Sequence, residues 1–223
     1  MPPPNRWPET AENIRLAQRT DRCSVLGPGI RAVLWVQGCP FRCPGCVAPE
    51  TLPFVGGDET PVAELTRHLL GLADIEGVTF SGGEPMSQAA PLVRLIDQLV
   101  AERPQLTFMS YTGYSLDHLR MYGTRPQQEL LTRLDLLIDG PYIVGRHTNL
   151  RWRGSDNQRV HFLSTRYRHL QPVTKDRGAW IEFELLPDGG LRWMGIPPVG
   201  FREAVPLALA KVGIELGTSE EEK

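Results

Sequence analysis

The stretch GCPFRCPGC, residues 38–46, holds three of the four cysteines of the chain. Cys39, Cys43 and Cys46 have the spacing C-x3-C-x2-C, and thiolates this close together are typical ligands of a metal centre. A zinc site normally closes with four ligands and takes a second ligand pair at short spacing, which this chain lacks. A 4Fe-4S cluster held by three thiolates leaves one iron free to bind another molecule. The spacing therefore favours an open, reactive cluster.

Two other interpretations stay open on the residues alone. Cys23 as a fourth ligand would complete a structural zinc site and make the chain a zinc-stabilised binding module without catalysis. The C-x2-C pair of Cys43 and Cys46 also occurs in thiol-redox proteins, although it leaves Cys39 unexplained. With only one cysteine outside the loop, a second cluster bound wholly by this chain is excluded.

A second motif, SGGEP, spans Ser81 to Pro85 and follows an apolar β-type run. Alone, it is also compatible with an ordinary strand-ending turn, because glycines occur wherever the backbone takes unusual angles. A buried Glu84 in this turn can accept a charge-assisted hydrogen bond from an ammonium group. Since consecutive parallel strands bring their carboxyl ends together, we expect the turn to lie beside the cysteine loop.

The elements that must position these loops alternate along the chain. Strand-like runs cover residues 32–38, 77–84 and 106–114, helical patterns cover 62–72 and 90–102, and a short helix leads into a fourth strand over 130–140. Alternating strands and helices predict right-handed crossovers and a parallel sheet. A complete eight-unit barrel takes about 250 residues. We therefore predict an α/β fold, a partial barrel of about five or six parallel strands.

The C-terminal part of the sequence departs from this alternation. Residues 159–167 read as one more strand, and residues 180–196 predict a β-hairpin whose turn is Pro187 to Gly190. We assign that hairpin a structural role, covering a sheet edge. The predicted organisation is an N-terminal extension over 1–25, the partial-barrel domain over 26–200, and a C-terminal helix with a disordered tail over 201–223.

Composition excludes two classes of function. Charged residues make up 22% of the 223 residues and the net charge is -2, so the chain lacks the basic field of a nucleic-acid binder. The sequence shows neither a signal-type start nor an apolar run of bilayer length. We therefore predict a cytoplasmic protein with no nucleic-acid or membrane partner.

Several segments between about Gly27 and Pro198 carry a family resemblance. In order, they are GPGIRAVLWVQGCPFRCPGC, FSGGEPM, SYTGYSLDHL, LDLLIDGPYI, NLRWRGSDNQR and MGIPP. The chain resembles the radical S-adenosylmethionine superfamily and, within it, the activating proteins of anaerobic ribonucleotide reductase. The resemblance implies reductive cleavage of S-adenosylmethionine to methionine and a 5'-deoxyadenosyl radical. It also implies a glycyl-radical enzyme as partner and an electron donor such as flavodoxin or ferredoxin.

The same resemblance implies roles for individual residues. Cys39, Cys43 and Cys46 would ligate the 4Fe-4S cluster, and Phe41 would contact the adenine of S-adenosylmethionine. Asp139, at the end of the fourth strand, would help to hold a monovalent cation near the cosubstrate carboxylate. The resemblance also places Gly82, Gly83 and Glu84 at the amino group of the cosubstrate and points to Asn157, while Thr112 is predicted to line the pocket because it ends a strand at the same edge of the sheet.

Two regions look longer than a minimal reductase activase needs. They are the N-terminal 25 residues and the region from about Leu163 to Ile181. The same radical chemistry directed at a small molecule or a ribosomally made peptide is therefore the alternative function within this superfamily.

Overall fold

The computed structural model describes residues 12–178, 180–186, 189–211 and 213. The central sheet contains seven strands: β1 (Asn13–Cys23), β2 (Arg31–Val36), β3 (Asp58–Pro61), β4 (Gly77–Gly82), β5 (Thr107–Tyr111), β6 (Leu136–Asp139) and β7 (Arg159–Phe162). Four helices belong to this part of the chain: α1 (Val62–Leu70), α2 (Ala89–Glu102), α3 (Leu116–Tyr122) and α4 (Arg125–Arg133). A separate hairpin follows, of β8 (Ile181–Leu185) and β9 (Leu191–Gly195), and then α5 (Phe201–Ala210).

The sheet has the strand order β3-β1-β2-β4-β5-β6-β7. Strand β2 pairs in parallel with β4, β4 with β5, and β5 with β6. Strand β1 is antiparallel to both β2 and β3, and β7 is antiparallel to β6. Five strands therefore run in one direction and two run against it. The predicted α/β class and C-terminal hairpin are confirmed, but the described sheet has seven strands, of which four pair in parallel, instead of the five or six parallel strands predicted. Within the described residues the hydrogen-bonded sheet is open, with β3 and β7 at its two edges.

Two parts of the sheet differ from the sequence prediction. Residues assigned to an N-terminal extension form β1, an eleven-residue strand between β2 and β3. Its mixed burial pattern, with polar and apolar residues interspersed, is typical of an antiparallel strand rather than of the buried parallel core. The strand predicted over 159–167 is shorter, since β7 ends at Phe162 and runs antiparallel to β6.

The core lies on both faces of the sheet. Leu34, Phe80 and Phe108 point to the helical face, where they join the buried side of α2. Alternate residues point the other way, and Val33 joins Met194 of β9 in a smaller cluster. Because the central strands are covered on both faces, their sequences are nearly continuous apolar runs.

The predicted terminal regions are only partly described by the structure. Helix α5 falls in the predicted C-terminal segment, while residues 1–11, 214–223 and the turn residues Pro187 and Asp188 lie outside the described residues. The division into three regions stays a prediction. Among the described helices, none has both the length and the apolar character required to cross a bilayer.

A buried arginine joins three strands at the end of the sheet opposite the predicted site. The Arg31 guanidinium, fully buried, donates through Nε to Thr79 Oγ1 (2.8 Å) and through Nη1 to Thr107 Oγ1 (2.9 Å). Its Nη2 donates to the carbonyls of Val78 and Thr107, both at 2.9 Å. Tyr167 closes the network by hydrogen bonding to Thr107 Oγ1 at 2.8 Å. One side chain therefore connects the starts of β2, β4 and β5.

Replacing this side chain should destabilise the whole domain. Arg31→Met keeps the length of the side chain but leaves buried acceptors without donors, so we expect the free energy of unfolding to fall by about 3 kcal/mol. Arg22→Met is the matched control, because Arg22 is largely exposed and its ion pair is with exposed Asp74. We expect it to cost less than about 1 kcal/mol. Equal losses in urea titrations of the two variants would contradict this assignment.

Candidate active site

A cavity of about 830 Å³ lies at the carboxyl ends of the parallel strands. This volume falls in the range of about 300–1,000 Å³ that is usual for small-molecule sites. Its lining comes from the loops after β2, β4, β5 and β6, and also from β9 and residues 196–201. The loops that carry the sequence motifs therefore meet in one place.

The cysteine loop lines this cavity with all three of its thiols. Its start is fixed by backbone hydrogen bonds from Gly38 N to the Thr51 carbonyl (2.8 Å) and from Cys39 N to the Leu52 carbonyl (3.0 Å). Its end is closed by a turn in which Cys46 N donates to the Cys43 carbonyl at 3.1 Å. Cys39 is buried, and Cys43 and Cys46 are half-buried. The loop thus holds three thiols at one surface.

The local electrostatics keep the first thiol protonated while no metal is bound. Burial and then the negative charge of Glu84 raise the pKa of Cys39 to about 12. Metal binding must displace this proton, so a polycationic centre is needed to make the thiolate favourable. No three His, Cys, Asp or Glu side chains in the described residues converge on a single metal ion. Cluster ligands bind separate irons, so this donor set fits a 4Fe-4S cluster better than one zinc ion.

Cys23 does not belong to this site. It pairs with Arg31 at the start of β2, whereas the cysteine loop follows the end of that strand. Five strand residues of about 3.3 Å rise separate the two positions by roughly 16 Å. Cys23 is fully buried among Leu26, Val33 and Met194, and this burial raises the pKa of its thiol. The zinc module with Cys23 as fourth ligand is therefore wrong.

The glycine turn after β4 packs directly on the start of the cysteine loop. Gly83 N donates to the Val36 carbonyl at 2.7 Å, and Glu84 N donates to the Gly38 carbonyl at 2.9 Å. A Cβ on Gly83 would lie 2.4 Å from the Gly38 carbonyl oxygen. Gly82 has a φ of +88°, and its Cβ would lie 2.8 Å from the Trp35 backbone. Both glycines are required by the close approach of the two backbones.

Glu84 is buried at the base of the cavity and already has protein donors. Its Oε1 accepts from Met86 N and from Thr112 Oγ1, both at 2.9 Å, and its Oε2 accepts from Gly113 N at 2.8 Å. Burial raises the pKa of Glu84 to about 7, although these three hydrogen bonds oppose the shift. The carboxyl group thus joins the turn after β4 to the end of β5.

Thr112 and Phe41 also line the cavity, as predicted for a cosubstrate pocket. Thr112 N donates to the Ile138 carbonyl at 2.9 Å, which ties the end of β5 to β6. The Phe41 ring packs so closely on Gly113 that a Cβ there would lie 2.5 Å from it. The cysteine loop therefore contacts the end of β5 as well as the turn after β4.

Two predicted residues do not line the cavity. Asp139 accepts a hydrogen bond from Leu116 N at 2.7 Å and lies 2.9 Å from His161 Nε2. Burial raises the pKa of Asp139, but His161 and the Leu116 N–H group outweigh it and bring the pKa below its ordinary value. Asn157 donates to the Pro141 carbonyl at 2.9 Å. In this structure both side chains fix the loop after β6 and the start of α3.

The structure adds residues to the site that the sequence did not indicate. Tyr142 and His147 line the cavity from the loop after β6, joined by a 3.0 Å hydrogen bond between Tyr142 Oη and His147 Nδ1. Every residue of β9 also lines it, although the hairpin was predicted to cover a sheet edge. No spacing signal marks His147, and the position of β9 depends on contacts distant in sequence. Only the tertiary fold reveals these contributions.

Comparison with known proteins agrees with this geometry. A family described as a 4Fe-4S single cluster domain matches residues 25–161, a span that includes the cysteine loop, the glycine turn, β5, β6 and all but the last residue of β7. The chain belongs to this family. Together with the relatives below, this match identifies the chain as a glycyl-radical activating enzyme of the radical S-adenosylmethionine type.

The names of similar curated proteins indicate which kind of activating enzyme the chain resembles. The anaerobic ribonucleoside-triphosphate reductase-activating protein of Enterobacteria phage T4 is 35% identical over 141 residues, covering 61% of this chain and 86% of that protein. The protein of the same name from Escherichia coli K12 is 34% identical over 146 residues, 62% of this chain and 92% of its own. The pyruvate formate-lyase-activating enzyme of Clostridium pasteurianum is 36% identical over 117 residues, covering 50% of this chain and 45% of that enzyme.

The contact between the two loops gives a first prediction for the site. Gly83→Ala forces its Cβ against the Gly38 carbonyl, so we expect a loss of about 2 kcal/mol in the free energy of unfolding, as in other overpacked sites. We also expect iron uptake to fall, because the start of the cysteine loop must move. Gly145→Ala is the control, since nothing lies within 4 Å of its Cβ. It should change stability by less than about 0.5 kcal/mol; equal behaviour of the two variants would refute the role of the contact.

The buried carboxyl group gives a pH prediction for the metal-free protein. Above its ordinary pKa of 4.5, Glu84 ionises in the unfolded chain while it remains protonated in the folded chain up to about pH 7. The folded state then binds more protons, so its contribution lowers the free energy of unfolding as pH rises through this window.

Glu84→Gln removes this titration. Relative to Glu84→Gln, the free energy of unfolding of the native chain should decline by about 2 kcal/mol between pH 4.5 and 7. Urea titrations at several pH values measure this difference. The amide changes the hydrogen bonds by an amount that does not vary with pH, so it shifts the curve of unfolding free energy against pH for Glu84→Gln without changing its slope. Parallel curves for the two proteins would therefore contradict the raised pKa of Glu84.

Proposed function

We propose that this chain is a radical S-adenosylmethionine enzyme that activates a glycyl-radical partner. The observation that carries the proposal is the direct contact between the three-thiol loop and the glycine turn at one cavity. Three cysteines without a fourth protein thiolate leave one iron open to a cosubstrate. The adjoining turn offers backbone groups and a carboxyl group for that cosubstrate.

Cys39, Cys43 and Cys46 are the proposed ligands of the cluster. When bound, the cluster supplies one electron that cleaves S-adenosylmethionine to methionine and a 5'-deoxyadenosyl radical. The chain itself fixes the three thiols through the loop hydrogen bonds to Thr51 and Leu52. The half-burial of Cys43 and Cys46 limits the access of water to this surface.

The cosubstrate contacts follow from the geometry of the cavity. Gly82 and Gly83 bring the backbone to the cavity surface, and Glu84 provides a negative charge below it. An ammonium group there favours ionised Glu84, since an opposite charge within a few ångströms lowers a carboxyl pKa. Thr112 orients Glu84 by its hydrogen bond, and Phe41 offers a ring face or edge to the adenine.

Asp139 and Asn157 have weaker geometric support as cosubstrate residues. A monovalent cation near the cosubstrate carboxylate, with Asp139 as a ligand, requires Asp139 to leave His161 or to share its charge with the cation. Asn157 can reach the cosubstrate only if its hydrogen bond to Pro141 breaks. We propose that both act when the partner or cosubstrate rearranges the loop after β6.

The partner class comes from the named relatives. The proteins from phage T4 and Escherichia coli are named as activators of an anaerobic ribonucleoside-triphosphate reductase, and the clostridial protein as the activator of pyruvate formate-lyase. We propose a glycyl-radical enzyme of the anaerobic ribonucleotide reductase type as partner, and flavodoxin or ferredoxin as electron donor.

We also propose that the protein is located in the cytoplasm and that its sheet is curved as in a partial barrel.

The decisive experiment removes one ligand and measures the cluster and the reaction separately. Cys43→Ala leaves two thiols in the loop, so anaerobic reconstitution should give little iron and sulfide and reduce 5'-deoxyadenosine formation at least about 100-fold, the loss expected for an essential centre. Iron analysis, absorption spectra and product chromatography after dithionite reduction are the measurements.

Cys23→Ala is the matched control. It removes a buried thiol that packs against the apolar side chains of Leu26, Val33 and Met194, and it leaves the cysteine loop unchanged. We expect about 1 kcal/mol of destabilisation and unchanged iron content. Full cluster and product in Cys43→Ala, or loss of both in Cys23→Ala alone, would disprove the ligand assignment.

A further inference from the structure

One face of the hairpin of β8 and β9 packs on the central sheet. Met194 packs with Cys23 and Val33 in a buried apolar group. Glu182, which lies opposite Met194 in the hairpin, accepts hydrogen bonds from Ser24 N at 2.7 Å and from Ser24 Oγ at 2.9 Å. Residues directly opposite each other in a hairpin share a face. This face is therefore covered by β1, β2 and the start of the loop that follows β1.

The other face of the hairpin packs on helix α5. Phe183 and Trp193 lie opposite each other in the hairpin. Their rings contact the ring of Phe201, the first residue of α5, with centroids 6.2 and 5.1 Å apart. Consecutive side chains of a strand point to opposite faces, and each of these two residues is next in sequence to one on the first face. Since both faces have packing partners, the surroundings of the two strand edges become decisive.

The edge of β9 borders the cavity. All five residues of β9 line the cavity, whereas none of the five described residues of β8 does. Because consecutive residues point to opposite faces, a strand that lines a cavity with every residue presents its edge to that cavity. The two-stranded sheet has the order β8-β9, and in the part of the chain that the structure describes no other strand pairs with β9. The wall of the cavity thus includes a strand edge.

The hydrogen bonding of the turn shows which main-chain groups of β9 point outward. Leu186 N donates to the Gly190 carbonyl at 2.8 Å, so these residues form a hydrogen-bonded pair. Hydrogen-bonded and non-hydrogen-bonded pairs alternate along an antiparallel ladder, and the next pair is Leu185 with Leu191. The N–H and C=O groups of Leu191 therefore point away from β8, on the side of the cavity. Those of Leu185 point away from β9, on the outer edge of the hairpin.

We propose that an extended peptide segment of the partner pairs with the edge of β9 as a third strand of the hairpin, with its glycine in the cavity. The inference rests on the proposed function, because that function requires a glycine of a polypeptide as the substrate. A strand edge recognises the main chain of an extended peptide by hydrogen bonds. Pro197 and Pro198 follow β9 and lack N–H groups, so the pairing ends after about five residues.

The position and spacing of this edge favour a peptide segment over other occupants. A cavity of about 830 Å³ admits one segment of chain but not a folded second copy of the protein. Outward main-chain groups recur at every second residue, about 6.6 Å apart, which is the spacing of another extended chain. The three thiols of the cysteine loop line the same cavity, so the bound segment lies in the cavity that holds the proposed cluster.

The first test measures peptide binding to the native chain with its reconstituted cluster and S-adenosylmethionine. The probe is the acetylated, amidated heptapeptide TVTGTVT, whose β-branched residues favour an extended chain. We expect a Kd of at most about 1 mM in anaerobic titration calorimetry. Methylation of all amide nitrogens except that of the glycine removes the donors and should weaken binding at least about tenfold. Exchange of the threonine and valine positions keeps the main chain and should change the Kd by less than about threefold.

The second test places the same substitution on the two edges of the hairpin. Leu191→Pro removes an N–H group from the edge at the cavity, so we expect the Kd of the heptapeptide to rise at least about tenfold. Leu185→Pro is the matched control on the outer edge and should stay within about twofold of the native chain. Leu191→Ala removes the side chain but keeps the N–H group, and should stay within about threefold. Iron content and urea titrations should be alike in the two proline variants.

The outcomes separate this inference from the proposed function. Native affinity in Leu191→Pro, or equal weakening in Leu185→Pro, would overturn the docking strand. If Leu191→Pro does not fold, the methylated peptide decides, and its binding with native affinity would overturn the inference. No binding of the heptapeptide to the native chain would also overturn it, while 5'-deoxyadenosine formation after dithionite reduction would leave the proposed function intact. Failure of the native chain to assemble a cluster would instead overturn the proposed function.

Discussion

The site depends on the crossing of two backbones, one after β2 and one after β4. Gly83 and Gly38 approach so closely that no side chain fits between them, and two backbone hydrogen bonds hold the crossing together. This contact places the three thiols next to the glycine turn before any ligand is bound. In the proposed function, a cluster and a cosubstrate that must touch each other would thus receive adjoining sites whose spacing is set by the main chain.

Glu84 extends this constraint to a third strand. By accepting hydrogen bonds from Thr112 and Gly113, it joins the turn after β4 to the end of β5, and Thr112 in turn joins β6. Such a connected polar network in a buried place is favourable only when its members are satisfied. The carboxyl group therefore has a structural role in addition to any contact with the cosubstrate, and the two roles share the same oxygens.

The sequence predicted the parts of the site that depend on neighbouring residues. The cysteine spacing, the glycine turn and the alternation of strands and helices are local patterns, and they identified the family and the edge of the sheet that carries the site. Asp139 was placed correctly at the end of β6, but the side-chain direction depends on β7 and on His161, which the sequence could not position. Strand β1 escaped prediction because a partly exposed antiparallel strand lacks the continuous apolar run of its parallel neighbours.

The hairpin of β8 and β9 was only partly predictable from local sequence patterns. Its strands were predicted from turn residues and alternating polarity, yet its position over the cavity depends on Met194 packing near Cys23 and on Glu182 accepting hydrogen bonds from Ser24. Those contacts involve β1 and the residues that follow it. They are remote in sequence, and their formation follows from the topology of the sheet.

The hairpin lies beyond the family match, which ends at residue 161, although β9 forms one side of the cavity. The surface that carries the chemistry and the surface that faces it are thus separate segments of the chain. Insertions, deletions and substitutions in the hairpin can reshape the entrance while the thiols and the glycine turn keep their geometry. In evolutionary terms, the range of molecules admitted to the radical and the means of generating it can change independently.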